Sequence, residues 1–283
     1  MGADIISKSK RARTLRRTPR ALWLALCRSQ GANPNGAIIY RGPSLIDGAP
    51  IVVVATGLTV GSANGKTGAM VQTYVLRDNG RSPMDNVRSG DDVSICGACP
   101  HRLNPETGKR SCYVTLAHGP RSVSASVNRG RYVDSTDPDG PEAALVRELV
   151  RDRPLRLGTY GDPLAAPVAV WVPLINVSAR WTGYTHQWKE EQNHDARAIV
   201  MASVDSEAEA AEARAMGWRY FRVRSRGADL IEGEIDCPSA RGVACADCGL
   251  CSGNATRARS ISIPAHGAGA SAFDLIQIGK AVN

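Results

Sequence analysis

Short apolar runs separated by polar turns divide the chain into strands and helices. Residues 51–55 and 70–76 are β-branched or alternating apolar runs, so they predict two strands of a hairpin, joined by a loop at residues 57–68. Residues 18–29 carry apolar side chains on one stripe and predict a helix. Within that helix, Cys27 is expected to be an inert core thiol.

The second half of the chain alternates between strand and helix patterns. Strands are predicted at residues 155–160, 181–185, 198–202 and 218–223, helices at 141–153 and 206–216, and a buried segment at 168–177. This alternation indicates βαβ units and a parallel sheet. We therefore predict an α/β fold, a partial (βα) barrel or curled parallel sheet, with an N-terminal β-hairpin region and two cysteine clusters.

Composition narrows the class of protein. The 283 residues are 43% hydrophobic and 22% charged, which is close to ordinary globular usage and excludes disordered and collagen-like chains. No apolar stretch reaches the roughly 18 residues of a membrane span. The apolar run at residues 21–27 has no small-x-small cleavage site behind it, so we expect no export signal and a soluble, cytoplasmic protein.

Positive charge is concentrated near the N-terminus. Residues 1–46 hold nine of the 35 Lys and Arg residues but one of the 27 acidic residues, so the rest of the chain is balanced. Such an arm is typical of segments that neutralise nucleic-acid phosphates, which we prefer to an anionic membrane surface. A solvated leader without a partner is the alternative. The predicted nucleic-acid-binding residues are Lys8, Lys10, Arg11, Arg13, Arg16, Arg17 and Arg20.

These patterns predict three segments. Residues 1–46 form a basic N-terminal arm and short helix, residues 47–267 an α/β metal-binding domain, and residues 268–283 a C-terminal tail. The chain has eight cysteines, and in a reducing compartment cysteines are more often metal ligands than disulfides. The middle segment contains seven of them.

Four of these cysteines, which we name the C-terminal thiol group, lie close together in sequence. They are Cys237, Cys245, Cys248 and Cys251, and the last three form a C-x2-C-x2-C run. Structural zinc usually takes two C-x2-C pairs set well apart, whereas three thiolates from one tight loop suit adjacent corners of an iron–sulfur cluster. The run therefore favours a [4Fe–4S] cluster, with zinc as the alternative.

The other three cysteines, which we name the central thiol group, are Cys96, Cys99 and Cys112. A structural metal normally takes four ligands, so three thiols are an incomplete set. His101 as fourth ligand would give a Cys3His zinc site. The other possibility is a cluster left open at one iron for a small molecule.

Polar residues at the ends of the predicted strands are candidates for the rest of the site, because ligands of parallel sheets gather there. Asp162 and His186 are the candidate catalytic residues, with a turn former and a structural hydrogen-bonder as the alternative roles. Tyr160, Gly161, Asp162 and Ser203 are candidate cofactor contacts. Asp205 precedes the helix at 206–216, where we expect it to act as the N-cap.

Several of these motifs occur in an order that resembles a known family. They are Cys96-x2-Cys99, Ser111-Cys112-Tyr113-Val114, Gly161-Asp162-Pro163, Gly183-Tyr184-Thr185-His186 and Ala202-Ser203-Val204-Asp205. The order is similar to that of an uncharacterised family of phages, plasmids and bacterial genomes, which also carries a C-terminal C-x7-C-x2-C-x2-C cluster. The resemblance implies a phage or mobile-element context.

More distantly, the order resembles the radical S-adenosylmethionine superfamily. In that superfamily three thiolates hold a [4Fe–4S] cluster whose fourth iron binds S-adenosylmethionine, and a Gly-rich strand end contacts the methionine portion. The resemblance implies that Cys96, Cys99 and Cys112 are cluster ligands and that Gly161-Asp162-Pro163 contacts the cofactor. The spacing here is C-x2-C-x12-C, where the superfamily has C-x3-C-x2-C.

Three functional hypotheses follow from the sequence. The first is an iron–sulfur enzyme of radical S-adenosylmethionine-like type that modifies nucleic acid or a nucleotide, with the C-terminal group structural or electron-relaying. The second is a zinc-stapled, non-enzymatic nucleic-acid-binding protein involved in replication or regulation of a mobile element. The third is a hydrolase with His186 and Asp162 as acid and base, which no nucleophile motif supports.

Overall fold

The computed structural model describes residues 18–267 and 269–275. Its helices are α1 (Pro19–Ser29), α2 (Pro83–Ser89), α3 (Val93–Cys96), α4 (Gly119–Asn128), α5 (Pro141–Val150), α6 (Val168–Ile175), α7 (Glu207–Ala215) and α8 (Cys245–Cys248). Short 3-10 helices lie at Pro163–Ala165, Glu191–Ala198, Pro238–Arg241 and Gly253–Ala255. Within the described ranges, no helix is long and apolar enough to cross a lipid bilayer.

The strands form two sheets. They are β1 (Gly36–Pro43), β2 (Pro50–Thr56), β3 (Val71–Arg77), β4 (Val133–Asp134), β5 (Pro154–Tyr160), β6 (Arg180–Thr182), β7 (Tyr184–Thr185), β8 (Met201–Val204), β9 (Tyr220–Arg224), β10 (Glu234–Asp236) and β11 (Ser260–Pro264). The first sheet has the order β4-β1-β2-β3-β5-β6 and the second the order β10-β11-β9-β8-β7.

The first sheet is mixed, and the second is parallel throughout. In the first sheet β2 runs antiparallel to its neighbours β1 and β3, whereas β1–β4, β3–β5 and β5–β6 are parallel. All pairs of the second sheet are parallel. The predicted α/β class and the β2–β3 hairpin are therefore confirmed, and among the described strands no closed barrel forms.

The two sheets are adjacent at Gly183, the one residue between β6 and β7. Its N–H donates to the carbonyl of Cys251 (3.0 Å), and its carbonyl accepts from Met201 N (3.0 Å). A Cβ at Gly183 would lie 2.7 Å from the Val200 side chain and 3.2 Å from Leu157. Glycine is therefore required here by close packing, and the C-terminal thiol group is tied to the junction.

The main hydrophobic core lies on both faces of the first sheet. Strands β2 and β3 are buried along almost their whole length, as expected for a central strand covered on both sides. Trp23 and Cys27 of α1 and Trp171 of α6 are fully buried against this sheet. Cys27 is thus the core thiol that the sequence predicted.

Some predicted elements differ from the structure. Residues 168–177 contain the helix α6, and the strand predicted at 198–202 begins only at Met201, because a 3-10 helix continues to Ala198. The sequence did not predict β1, which lies within residues 1–46 and pairs with β2. Of the predicted basic arm, residues 1–17 lie outside the described residues, and Arg20 donates from α1 to the carbonyl of Thr59 (3.1 Å).

Asp205 is not the N-cap of α7, contrary to expectation. Ser206 holds that position and its hydroxyl accepts from Glu209 N (3.1 Å). The Glu209 carboxylate returns to accept from Asp205 N (2.9 Å), a close variant of the capping box. With the helix end satisfied by these two residues, the Asp205 carboxylate points elsewhere.

Candidate metal and small-molecule site

A cavity of about 500 Å³ is lined by strands of both sheets, a volume typical of a small-molecule site. All seven cysteines of the two thiol groups line it, although they come from two stretches of chain far apart in sequence. All of them are free thiols. Tyr160, Gly161, Asp162, His186 and Ser203 line the same cavity. Every predicted metal, catalytic and cofactor-contact residue therefore lines one cavity, although among the described residues no three of the sulfurs lie within 4.8 Å of one another.

The short helix α3 and the turn after it position the central thiol group. Cys96 ends α3, and its carbonyl accepts from Cys99 N (3.2 Å) and from Gln187 Nε2 (3.2 Å). Cys112 N donates to the carbonyl of His101 (3.1 Å), which brings the third thiol beside the first two. Gln187, which follows β7, therefore links the C-x2-C turn to the ends of the parallel strands.

The C-terminal thiol group is held by three backbone contacts to other parts of the fold. Cys237 N donates to Ser262 O of β11 (2.8 Å), and Cys245 N donates to Lys66 O in the hairpin loop (3.1 Å). The third contact is the Gly183–Cys251 bond at the sheet junction. Because these anchors lie in β11, in the loop between β2 and β3 and at the sheet junction, Cys237, Cys245 and Cys251 are fixed against the cavity wall rather than carried on a free loop.

Burial is the main influence on the pKa values of Cys96, Cys112 and Cys251. Burial and then neighbouring thiols raise the pKa of Cys96 well above its usual value, and burial raises that of Cys112 against the opposing charge of Arg110. Burial also raises the pKa of Cys251 to about 12, although a hydrogen bond from Tyr184 opposes it. Without a bound cation these thiols are neutral at pH 7, and a metal ion is the kind of charge that would hold them as thiolates.

Arg156 of β5 lines the cavity together with both thiol groups. It is 8% exposed, donates from Nη2 to the Tyr113 hydroxyl (2.7 Å), and lies 5.7 Å from the ring centroid of Tyr184. Burial lowers the pKa of Arg156, whereas Tyr113, Tyr184 and Cys245 raise it. Their combined effect is larger, so the pKa is raised overall. Arg156 was not among the residues predicted from the sequence, although a lone arginine between Leu155 and Leu157 in a buried strand is a signal for it.

Several buried polar atoms on the cavity wall have no hydrogen-bond partner within the described part of the chain. They belong to β5 and β6: Arg156 Nε, Thr159 Oγ1, Tyr160 OH and Thr182 Oγ1. Buried polar groups are rarely left unpaired in folded proteins. Their grouping on one wall fits a ligand that carries hydrogen-bonding groups.

The predicted catalytic residue Asp162 is bonded mainly to the backbone around it. Its Oδ1 accepts from Leu164 N (2.9 Å), and its Oδ2 accepts from Thr185 Oγ1 (3.0 Å) and His186 N (2.8 Å). Burial raises its pKa to about 6, although these hydrogen bonds lower it. Asp162 thus holds the end of β5 against the end of β7, and it contacts His186 through the backbone N–H of that residue.

His186 and His101 instead converge on Asp205. His101 Nε2 lies 3.0 Å from Asp205 Oδ1, and His186 Nε2 lies 4.0 Å from Asp205 Oδ2 and 4.0 Å from Cys99 Sγ. Burial lowers the pKa of His186 to about 4, so its ring is neutral at pH 7. Both ring nitrogens of His101 have partners, Asp205 and the Ser111 hydroxyl, so His101 does not complete a Cys3His set in this arrangement.

No protein-family model, curated protein or solved structure matches this chain. Functional assignment therefore depends on the site itself.

Proposed function

We propose that this chain is an iron–sulfur protein, and more specifically an enzyme whose central thiol group holds a [4Fe–4S] cluster facing a small-molecule site. The observation that supports the proposal is that seven free thiols, from two distant stretches of the chain, line one cavity. In this proposal the two sheets act as one curled sheet around the cavity. The proposal also places the protein in a reducing compartment such as the cytoplasm, where cysteines stay free to bind metal.

The spacing of the thiols favours clusters over single zinc ions. Zinc–sulfur bonds of about 2.3 Å in a tetrahedron place sulfurs about 3.8 Å apart. Among the described residues, no three cysteine sulfurs lie within 4.8 Å of one another. The sulfurs are therefore not arranged around a single zinc ion, and the choice of clusters rests on the sequence, where three thiolates from one C-x2-C-x2-C run suit adjacent corners of an iron–sulfur cluster.

The central group supplies three ligands and leaves one position for a small molecule. When bound, such a cluster can hold that molecule and transfer an electron to it. The protein would contribute the unpartnered polar atoms on β5 and β6 for orientation, and the buried Arg156 guanidinium for an anionic group of the ligand. S-adenosylmethionine, with its carboxylate and hydroxyl groups, is the candidate we propose.

The substrate part of the proposal rests on the basic N-terminal residues. A segment with six Lys and Arg among residues 1–17 suits nucleic acid or a nucleotide substrate, in line with a phage or mobile-element context. The C-terminal group would then be structural or relay electrons.

Metal analysis after anaerobic purification tests the proposal. We expect about four iron and four sulfide for each cluster, with broad visible absorbance. Cys112→Ser should lose the central cluster and keep the other, whereas the control Cys27→Ala, which changes a core thiol away from the cavity, should keep both. Stoichiometric zinc without iron would contradict the proposal and favour the zinc-stapled nucleic-acid-binding protein.

A further inference from the structure

Two histidines and an aspartate form a separate group of ligand atoms beside the central thiol group. The nitrogens of His101 and His186 and a carboxylate oxygen of Asp205 lie within 4.8 Å of one another. The three residues come from different places: the loop after α3, the end of β7 and the end of β8. The parallel strands β7 and β8 bring His186 and Asp205 together, and the C-x2-C turn places His101 beside them.

The distances between these ligand atoms are close to those around a single bound ion. Bonds of about 2.0–2.2 Å from a metal to nitrogen and oxygen place neighbouring ligand atoms roughly 3–3.5 Å apart. The His101–Asp205 distance of 3.0 Å lies in that range, and the His186–Asp205 distance of 4.0 Å is too long for a hydrogen bond but reaches it with a small inward shift.

The surroundings resemble those of metal-bound histidines. His101 Nδ1 lies 2.8 Å from the Ser111 hydroxyl, which fixes the ring so that Nε2 faces Asp205. A metal-binding histidine almost always uses its second nitrogen in this way. The ring of Phe273 lies 5.6 Å from that of His101 and restricts its movement.

We propose that His101, His186 and Asp205 bind one divalent first-row transition-metal ion. Two imidazoles and one carboxylate are the donor set of Fe(II), Mn(II) and Zn(II) sites with open positions. Because His101 and His186 line the cavity, the open positions face the space where the small molecule would bind. The site shares no ligand with either thiol group and does not depend on the cluster proposal, although His186 Nε2 lies 4.0 Å from Cys99 Sγ.

Mn(II) is the probe of choice, because soft thiolates bind it poorly whereas imidazole and carboxylate accept it. The full chain is purified anaerobically, cleared of loosely held metal with EDTA and titrated with Mn(II), and free Mn(II) is counted by its EPR signal. We expect one ion per chain. His186→Gln and Asp205→Asn should weaken binding at least tenfold, whereas His118→Gln, which changes a histidine on the cavity wall outside the group, should leave it unchanged.

Ser111→Ala keeps all three ligands and should still weaken Mn(II) binding about tenfold or more, because it frees the His101 ring. It decides the matter if the Asp205 variant does not fold. Absence of stoichiometric binding up to millimolar Mn(II) in the wild-type chain, or equal binding by folded His186→Gln, would overturn the proposal. Iron and sulfide are measured on the same samples, so loss of the clusters is distinguished from loss of this site.

Discussion

Arg222 and Glu234 form an ion pair that is almost completely removed from solvent. Their side chains are 4% and 0% exposed, and the guanidinium donates to both carboxylate oxygens at 2.7 Å. Breaking a buried pair by changing one partner leaves the other charge buried and uncompensated. Arg222 lies in β9 and Glu234 in β10, so the pair links β9 to a strand at the edge of its sheet. Removing one partner is therefore expected to destabilise the fold.

Glu234→Gln should lower the free energy of unfolding by about 3–5 kcal/mol, because Arg222 keeps its charge without a carboxylate partner. Urea denaturation at pH 7 measures the loss. The matched control is Glu148→Gln, since the Glu148–Arg151 pair is 40% and 48% exposed, so solvent screens it and its loss should change stability far less. Equal effects of the two substitutions would contradict the importance of burial.

Asp162 gives a pH dependence of the opposite sign to that of most carboxylates. Its pKa is about 6 in the fold, raised by burial from 3.8, so its stabilising contribution is complete below the unfolded value and is lost as pH rises to about 6. From pH 3 to pH 7 that loss amounts to about 3 kcal/mol.

Asp162→Asn removes this titration but replaces an acceptor of the His186 and Thr185 hydrogen bonds by an amide NH2. We expect the variant to be less stable than wild type at acidic pH. The difference should shrink as pH rises toward 7, because only wild type loses the stability linked to the titration of Asp162. Unfolding by urea at several pH values measures it. A difference that stays constant with pH would show that Asp162 does not titrate in this range.

At the scale of elements, the ends of α2 and α3 show why one glycine matters more than another. Gly90 and Gly97 follow these helices with φ of 80° and 55°. A Cβ at Gly90 would meet nothing within 4 Å, whereas one at Gly97 would lie 2.3–2.5 Å from the Gln187 amide. Gln187 donates to the Cys96 carbonyl. A side chain at position 97 would therefore disturb a contact of the central thiol group, whereas a side chain at position 90 would not.

Gly90→Ala should cost about 1–2 kcal/mol, the ordinary penalty for positive φ. Gly97→Ala should cost more and should also lower the iron content, because it displaces Gln187 and shifts the C-x2-C turn. Urea denaturation and metal analysis of both variants check this. If both lower stability equally and keep wild-type iron content, the Gly97–Gln187 contact does not position the thiols.

The periodicity of the sequence predicts most elements in the second half of the chain, since α5, α7, β5 and β9 lie close to their predicted ranges. The cap of α7 was mistaken because Asp205 and Ser206 are both good capping residues. The spacing of Ser206 and Glu209 fits a capping box and was the signal that separates them. Strand β1 was missed because its apolar residues follow a run of turn formers and end in polar positions.

At the scale of the whole molecule, the convergence of the two thiol groups could not be read from spacing. Each group is recognisable in the local sequence. Their placement on the same cavity depends on the sheet junction at Gly183 and on the contact of Cys245 with the hairpin loop. The same holds for the Arg156–Tyr113 and His101–Asp205 contacts, which join residues 43 and 104 positions apart in sequence. Such placements arise from strand order, which local patterns do not specify.

Charge is the other property of the whole chain, and deleting residues 1–17 tests its role. The deletion removes six Lys and Arg residues and no cysteine. If the arm neutralises phosphates, the slope of log affinity for duplex DNA against log salt should become less negative, by at most about 5, because fewer counterions are released. Fluorescence anisotropy at several salt concentrations measures it, with a scrambled arm of the same composition as control. An unchanged slope alongside unchanged iron content would remove nucleic acid from the proposal while leaving the clusters in place.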